Sequence, residues 1–489
     1  MKTKYTIMFF LILLIPIIGL AQEDKNKNDY QKSFDEFSNS IKQDFNTFKS
    51  KNDSIFYGFL KKSWQTFILF EDTRPSIPKP IAQPVSDTAT IHNKEIKPIK
   101  RRTMLQDTGR QLILNGKPTI YKNKNTYKTT SELNNTFEFY GLNITIPDNI
   151  KPTLSQNPIS NNEIALYFKN ASNNDELINT INTLSSNATK NNLNGWGYLE
   201  LLKSAAAHMY SDTDNQILFS WYALLSVGYD AKVGYNNKDV FLLVAFDIPV
   251  YYMSYFELNN KKYYLVLFDN QNKNQSSIKT YQANYSDGLS NLSLFFKKIP
   301  EFNLLLKTRK LNYKNQQINI SYNANLTDYY STYPDCELTV YFQPPLSEVA
   351  ISSMSKFLLP HLKNTSNAEK VNFMLDFIQQ AIDYETDEKQ FGHENYLFAE
   401  ETICYPYADC EDRSVLLSQL VVEFTGLSTI AIVYPGHVLL GVNIKEDIPG
   451  SYVEYDNDKY YVADPTYIGA KLGMIMPEFE DAEPEIIIF

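Results

Sequence analysis

An α+β fold is predicted for this chain on three observations. Stretches with apolar residues every three or four positions are interspersed with runs rich in β-branched and aromatic residues, so helices and strands share the whole length. A helix-then-strands order occurs twice, which points to an internal repeat. Hydrophobic residues make up 43% of the 489 positions and charged residues 21%, enough apolar mass for a large packed core and more than one domain.

Residues 1–21 read as an address. Lys2 and Lys4 precede an apolar run over 5–18, and Gly19-Leu20-Ala21 supplies small residues for cleavage before Gln22. The run is short for a membrane span, which needs about 20 apolar residues, so a signal peptide and a periplasmic or extracellular mature protein are expected, with no transmembrane span. Residues 22–71 read as an amphipathic helical segment, because Tyr30, Phe34, Phe37, Ile41, Phe45 and Phe48 recur at intervals of three and four. Pro75, Pro78, Pro80, Pro84 and Pro98 then crowd residues 72–108, which read as an extended linker serving as a spacer. Over 109–270, short β-prone runs give way to helical patterns and then to the strands KVGY, DVFLLVAF, YYMSYFEL and KYYLVLF. Residues 271–344 read as a β-rich connecting region (QINISYNA, ELTVYFQ), and 345–489 as helices followed by strands.

The repeat is visible in detail. VLLSQLVVEFTGLSTIAIVYPGHVLLGV with KYYVADP repeats the order of ILFSWYALLSVGYDAKVGYNNKDVFLLVAF with KKYYLVLFD. Gly426 aligns with Gly228 at an offset of 198, and Tyr461 with Tyr264 at an offset of 197. These offsets set Asp212 opposite Cys410, Asp239 opposite His437 and Leu267 opposite Asp464. A carboxylate is no substitute for a thiol and leucine cannot orient a base, so the first copy is expected to keep the packing and lack the chemistry.

Several function classes are disfavoured. With 56 acidic against 46 basic side chains the net charge is -10, opposite to the basic face a nucleic-acid binder needs. No phosphate-cradling Gly-rich loop occurs. His92, His208, His361, His393 and His437 have no metal-ligand spacing, and Cys336, Cys404 and Cys410 are too few for a disulfide scaffold or a zinc site. Neither cofactor nor metal is expected.

The late segment carries the chemistry. Asp409-Cys410-Glu411-Asp412 opens an apolar-periodic run, so Cys410 is expected at a helix N-terminus, where the dipole favours a thiolate. Glu411 and Arg413 read as first-turn residues that cap and solvate that helix. Pro435-Gly436 is a turn, His437 opens a strand, and KYYVADP ends a further strand at Asp464. If those strands are antiparallel neighbours, His437 meets Asp464 and the helix presents Cys410 to the imidazole. A thiol nucleophile needs a base within hydrogen-bond reach, and the base needs an acceptor that fixes its tautomer.

DCEDRS leading a helix, PGH opening a strand and YYVADPTY at a strand end resemble the transglutaminase-like superfamily, with its papain-like Cys–His–Asp triad in that chain order. The chain also looks like a group of secreted transglutaminase-domain proteins of Bacteroidetes, through FLKKSWQTF with the Pro-rich stretch, DEKQFGHENYLFAEETICYPYADCEDRS and VYPGHVLLGV. The resemblance rests on residues 385–475 and elsewhere is one of layout. It implies two transglutaminase-like domains, the first degenerate. It makes Cys410 the nucleophile, His437 the general base and acid, Asp464 the orienting carboxylate, and Gln390 a candidate oxyanion donor. The implied function is a secreted cysteine hydrolase cleaving amide bonds in a peptide or protein substrate. A protein-glutamine transamidase using the same triad and a non-catalytic scaffold are the alternatives. A Cys336–Cys404 bridge, a Cys404–Cys410 bridge that silences the nucleophile, and three free thiols all remain open.

Overall fold

The computed structural model describes residues 49–74, 77–86, 91, 93–103, 135–147, 151–154, 159–236, 238–269, 271 and 275–489. The expected signal peptide and the first part of the expected N-terminal helix lie outside the described residues. Residues Met1–Phe56 form one unit, whose described residues are helical, and Tyr57–Phe489 form a second, compact unit. This second unit contains two seven-stranded sheets, in a mixed α+β fold.

Helix α1 covers residues 49–60, and the chain then turns extended rather than remaining helical to 71. Strands β1 (Trp64–Ile68) and β2 (Phe70–Glu71) follow. The helical spacing of the upstream aromatics does not continue past Leu60, and WQTFI is made of residues that suit a pleated surface. Trp64 packs edge-on to Tyr235 and Tyr281, with ring centroids 5.1 and 5.3 Å apart.

The Pro-rich stretch is no spacer. It contributes β3 (Lys94–Ile96) and β4 (Lys100–Thr103), which form opposite edges of the second sheet. Proline lacks a backbone donor and is confined to edges and breaks, and here the prolines fall between the strands. A hairpin, β5 (Thr136–Phe139) and β6 (Leu142–Thr145), turns through Tyr140 and Gly141, both at positive φ. Helices α2 (Asn161–Ser172), α3 (Asp175–Lys190), α4 (Gly195–Met209) and α5 (Thr213–Ser226) come next.

The first sheet follows α5 as β7 (Ala231–Tyr235), β8 (Val240–Val244), β9 (Ser254–Leu258), β10 (Lys261–Val266) and β11 (Ser277–Tyr281), in the order β1-β11-β7-β8-β10-β9-β2. It therefore runs past residue 270 into the stretch expected to be a connector. That stretch also holds a hairpin, β12 (Leu306–Tyr313) and β13 (Gln316–Asn323), and then helix α6 (Ala324–Tyr330). ELTVYFQ, expected as a strand, is a 3₁₀ turn over Leu338–Val340, and the burial of Leu338, Val340, Tyr341 and Phe342 rather than strand pairing holds it.

Helices α7 (Glu348–Leu362), α8 (Asn367–Ala381) and α9 (Asp387–Gln390) follow, with the short strand β14 (Asp383–Tyr384) between the last two. Next come α10 (Ala399–Cys404), β15 (Tyr407–Ala408) and α11 (Cys410–Thr425). After α11 come β16 (Thr429–Tyr434), β17 (His437–Asn443), β18 (Ser451–Tyr455), β19 (Asp458–Ala463) and β20 (Glu485–Ile488), in the order β3-β18-β19-β17-β16-β20-β4.

The two sheets have the same plan. Replacing β7 to β11 by β16 to β20 reproduces the order of the five inner strands, and each set follows a buried helix and a glycine with positive φ, Gly426 at the C-cap of α11 and Gly228 one residue past the C-cap of α5. The registers match as well. Val244 faces Ala231 on one side and Tyr264 on the other, as Val442 faces Thr429 and Tyr461. These are the offsets of 198 and 197 read from the sequence. The edges differ: β1 and β2 join antiparallel, β3 and β4 parallel. Among the described residues, no helix is long and apolar enough to cross a membrane.

Candidate active site around Cys410

Helix α11 is buried over its first three turns, so its start is fixed by packing on every side. Asp409 caps it, and the Asp409 N–H donates to Asp412 Oδ2 at 3.3 Å. Cys410 is the first helical residue, as the acidic run around it predicts. Ser414 one turn later donates to the Val438 carbonyl at 3.0 Å and ties the helix to β17.

His437 and Asp464 meet because β17 and β19 are antiparallel with Leu440 opposite Ala463. Stepping back along β17 and forward from β19 brings the two side chains together, and His437 Nε2 lies 3.0 Å from Asp464 Oδ2 with both side chains fully buried. Asp464 is held in turn. Its Oδ1 accepts from the Thr466 and Tyr467 N–H groups at 2.9 and 3.2 Å, and its own carbonyl accepts from Gln379 at 3.0 Å. Phe479 stacks on the imidazole at 4.7 Å. The other ring nitrogen, His437 Nδ1, is buried and has no hydrogen-bond partner.

Cys410 reaches the same corner. Its Sγ lies 3.9 Å from the carbonyl oxygen of Gly436, the residue before His437. The thiol donates to Glu411 Oε2 at 2.8 Å and makes no hydrogen bond to the imidazole. Burial, reinforced by Glu411 and Asp409, pushes the thiol well above its usual value, and the nearby Lys79 ammonium offsets only part of this. The expectation of a dipole-stabilised thiolate is thus corrected for this conformation. A helix N-terminus contributes about 0.3–1 kcal/mol, up to ~2 in favourable geometry. Desolvating an ion costs several kcal/mol. Glu411 and Arg413, expected to solvate the helix, are both buried. Arg413 donates to the carbonyls of Pro465 and Ile382, which binds the strand end carrying Asp464 to the end of α8, and burial lowers its pKa to about 10.

Gln390, the candidate oxyanion donor, ends α9, and both of its side-chain amide atoms are buried without a hydrogen-bond partner. Cys336, Cys404 and Cys410 are all free thiols.

Sequence reasoning misses the group that completes the corner. Lys79, from the Pro-rich stretch, pairs with Asp387 at 3.4 Å, Glu394 at 2.9 Å, Glu411 at 3.2 Å and, most closely, Asp409. Nothing local signals a contact spanning 330 positions. Asp387, Asp409 and Asp412 bring one oxygen each within 4.8 Å of one another, as do the side-chain ligand atoms of Asp409, Cys410 and Glu411, which is close enough to share a metal ion. Both sets include a carboxylate already paired with the Lys79 ammonium, so the chain itself supplies a cation there.

In the first sheet the corresponding corner has other residues. The hairpin pair Tyr434–His437 has its counterpart in Asn236 and Asp239, joined by a 3.0 Å backbone hydrogen bond. Asp212 is the N-cap of α5, its carboxylate accepting from the Asn215 N–H at 2.9 Å. Aligned cap to cap, Thr213 rather than Asp212 stands at the place of Cys410; neither has a thiol.

Comparison of this chain with protein-family models, curated proteins and solved structures finds no match.

Proposed function

We propose that the chain is an exported cysteine hydrolase of transglutaminase-like type, which cleaves amide bonds through an acyl-thioenzyme on Cys410. The observation that carries this reading is the buried His437–Asp464 pair with an unpartnered Nδ1, together with Cys410 Sγ lying 3.9 Å from the carbonyl oxygen of Gly436, the residue before His437. The reading requires the thiol to leave Glu411 for Nδ1, which would assemble a nucleophile, a base and an orienting acid. The thiol proton then passes to Nδ1 as sulfur attacks the carbonyl carbon. The C–N bond breaks and the amine leaves with that proton. Water, giving its proton to the same nitrogen, attacks the thioester to release a carboxylic acid and restore the thiol. The Cys410 N–H at the helix start is a donor for the developing oxyanion.

A primary ammonium beside the thiol gives the transamidase alternative a specific motive. The carboxylates around Lys79 raise its pKa, however, and a protonated amine has no lone pair to attack a thioester. Water is therefore the preferred acceptor. Incubating the protein with a peptide library, with and without a labelled amine, tests the reading. Cleavage that depends on Cys410 is expected, and amine incorporation outrunning hydrolysis overturns it. Export is tested by N-terminal sequencing, which is expected to begin at Gln22.

A further inference from the structure

Residues 77–86 run beside the Cys410 corner without helix or strand, with Pro78 against Gly436 and Lys79 among the acidic side chains. Ile81 is 84% exposed, whereas the Lys79 side chain is only 7% exposed and enters the acidic pocket. The segment is held as peptides are held in clefts, by backbone contacts along its length and one side chain in a pocket. The Pro80 carbonyl accepts from Tyr384 Oη at 2.7 Å. Ile468 donates to the Gln83 carbonyl and accepts from the Val85 N–H, both at 2.9 Å. At Gly436, φ is +77° and an added Cβ would stand 2.5 Å from the Pro78 carbonyl oxygen, so only glycine lets the segment pass there.

We propose that Asp387, Glu394, Asp409 and Glu411 form a subsite for a lysine side chain of an extended peptide substrate, and that residues 77–85 occupy that substrate's place. The proposal rests on the hydrolase reading of Cys410, because two of the four carboxylates flank that residue in sequence. Three of them, on Asp387, Asp409 and Glu411, are almost fully buried, which suits a pocket that selects an ammonium. Asp409 Oδ1 is buried with no hydrogen-bond partner although Oδ2 holds Lys79, so the pocket has acceptor capacity that the internal lysine leaves unused. Lys79 lies between Pro78 and Pro80, and the Lys79–Pro80 bond has no N–H to engage a cleft. The internal segment thus resembles an occupant more than a substrate, and it must leave for one to enter.

The test is calorimetric binding of an acetylated and amidated peptide with the sequence of residues 78–84, against the same peptide with norleucine for lysine. The full chain is used as wild type and as Lys79→Ala. The lysine peptide is expected to bind Lys79→Ala about tenfold or more tighter than the norleucine peptide does, and wild type far more weakly. Adding Asp387→Asn or Glu394→Gln is expected to erase the preference. Should Lys79→Ala not fold, Gly436→Ala keeps the lysine but crowds Pro78, and the same preference is expected there. Equal binding of the two peptides, or none at millimolar concentration, by a folded variant overturns the proposal. None of these readouts needs turnover. A chain that binds the lysine peptide but never forms a thioester loses only the hydrolase reading, and one that forms a thioester with no preference for lysine loses only the subsite.

Discussion

His437 presents Nε2 to Asp464 and keeps Nδ1 unpaired in a buried corner, which is a costly arrangement unless another group visits that nitrogen. The Cys410 thiol is the proposed visitor. Asp464→Asn keeps the shape but allows the amide to present its N–H to Nε2, which selects the wrong tautomer. Steady-state kinetics are expected to show kcat lower by roughly 10³–10⁴-fold with KM little changed. Glu411 has the opposite role, since its carboxylate holds the thiol neutral. Glu411→Gln removes that charge, so the thiol pKa falls and alkylation of Cys410 by iodoacetamide at neutral pH is expected to run several-fold faster. An unchanged or slower rate contradicts the role given to Glu411. These residue roles were partly legible in the sequence. An acidic helix start, a Pro-Gly turn and an Asp-Pro strand end are local signals, and antiparallel neighbours bring such ends together. Lys79 was not legible, because its contacts join positions with no local relation.

At the scale of elements, the contact between the 77–86 segment and α11 is an ion-pair cluster with more acid than base. Burial raises the pKa of Asp387 to about 8 and that of Asp409 to about 7, with Lys79 opposing. Lys79→Ala leaves buried carboxylates uncompensated and is expected to lower the unfolding free energy by about 3–5 kcal/mol at pH 8. The sign of the pH effect follows from linkage. Unfolded carboxylates titrate near 4, so between about pH 4 and 8 the folded chain holds protons that the unfolded chain has released, and stability falls as pH rises. The loss caused by Lys79→Ala is therefore expected to shrink at pH 5, where Asp387 and Asp409 are protonated, as read by urea melts at the two pH values. A loss that is equal or larger at pH 5 contradicts the assignment. Other elements separate what a sequence reveals from what it hides. The strands of the repeat were legible because β-branched and aromatic runs end at turn residues. The fate of 72–108 was not, because proline content marks where a chain breaks and says little about what it packs against.

Across the whole molecule, two sheets of the same strand order lie in one compact unit, one with a Cys–His–Asp corner and the other with Thr213, Asp239 and Leu267 at the corresponding positions. The first sheet is expected to serve packing or docking. Replacing Asp212 and Asp239 together by asparagine is expected to leave turnover unchanged, and a loss of rate without a loss of melting temperature contradicts that division of labour. The repeat was readable because one helix, one turn and three strands keep nearly constant offsets. The merging of the sheets into one unit was not, since edge strands β1 to β4 come from a stretch whose pattern named no sheet. The claim on which all of this depends is that Cys410 becomes acylated. Wild type, Lys79→Ala and Cys410→Ala are to be incubated with an activated peptide ester, weighed intact by mass spectrometry, and digested to locate the acyl group. The account predicts one thioester on Cys410 that water clears, faster to form in Lys79→Ala and absent from Cys410→Ala. Acylation at Cys336 or Cys404, or no thioester on Cys410 in either cysteine-containing form, would contradict it.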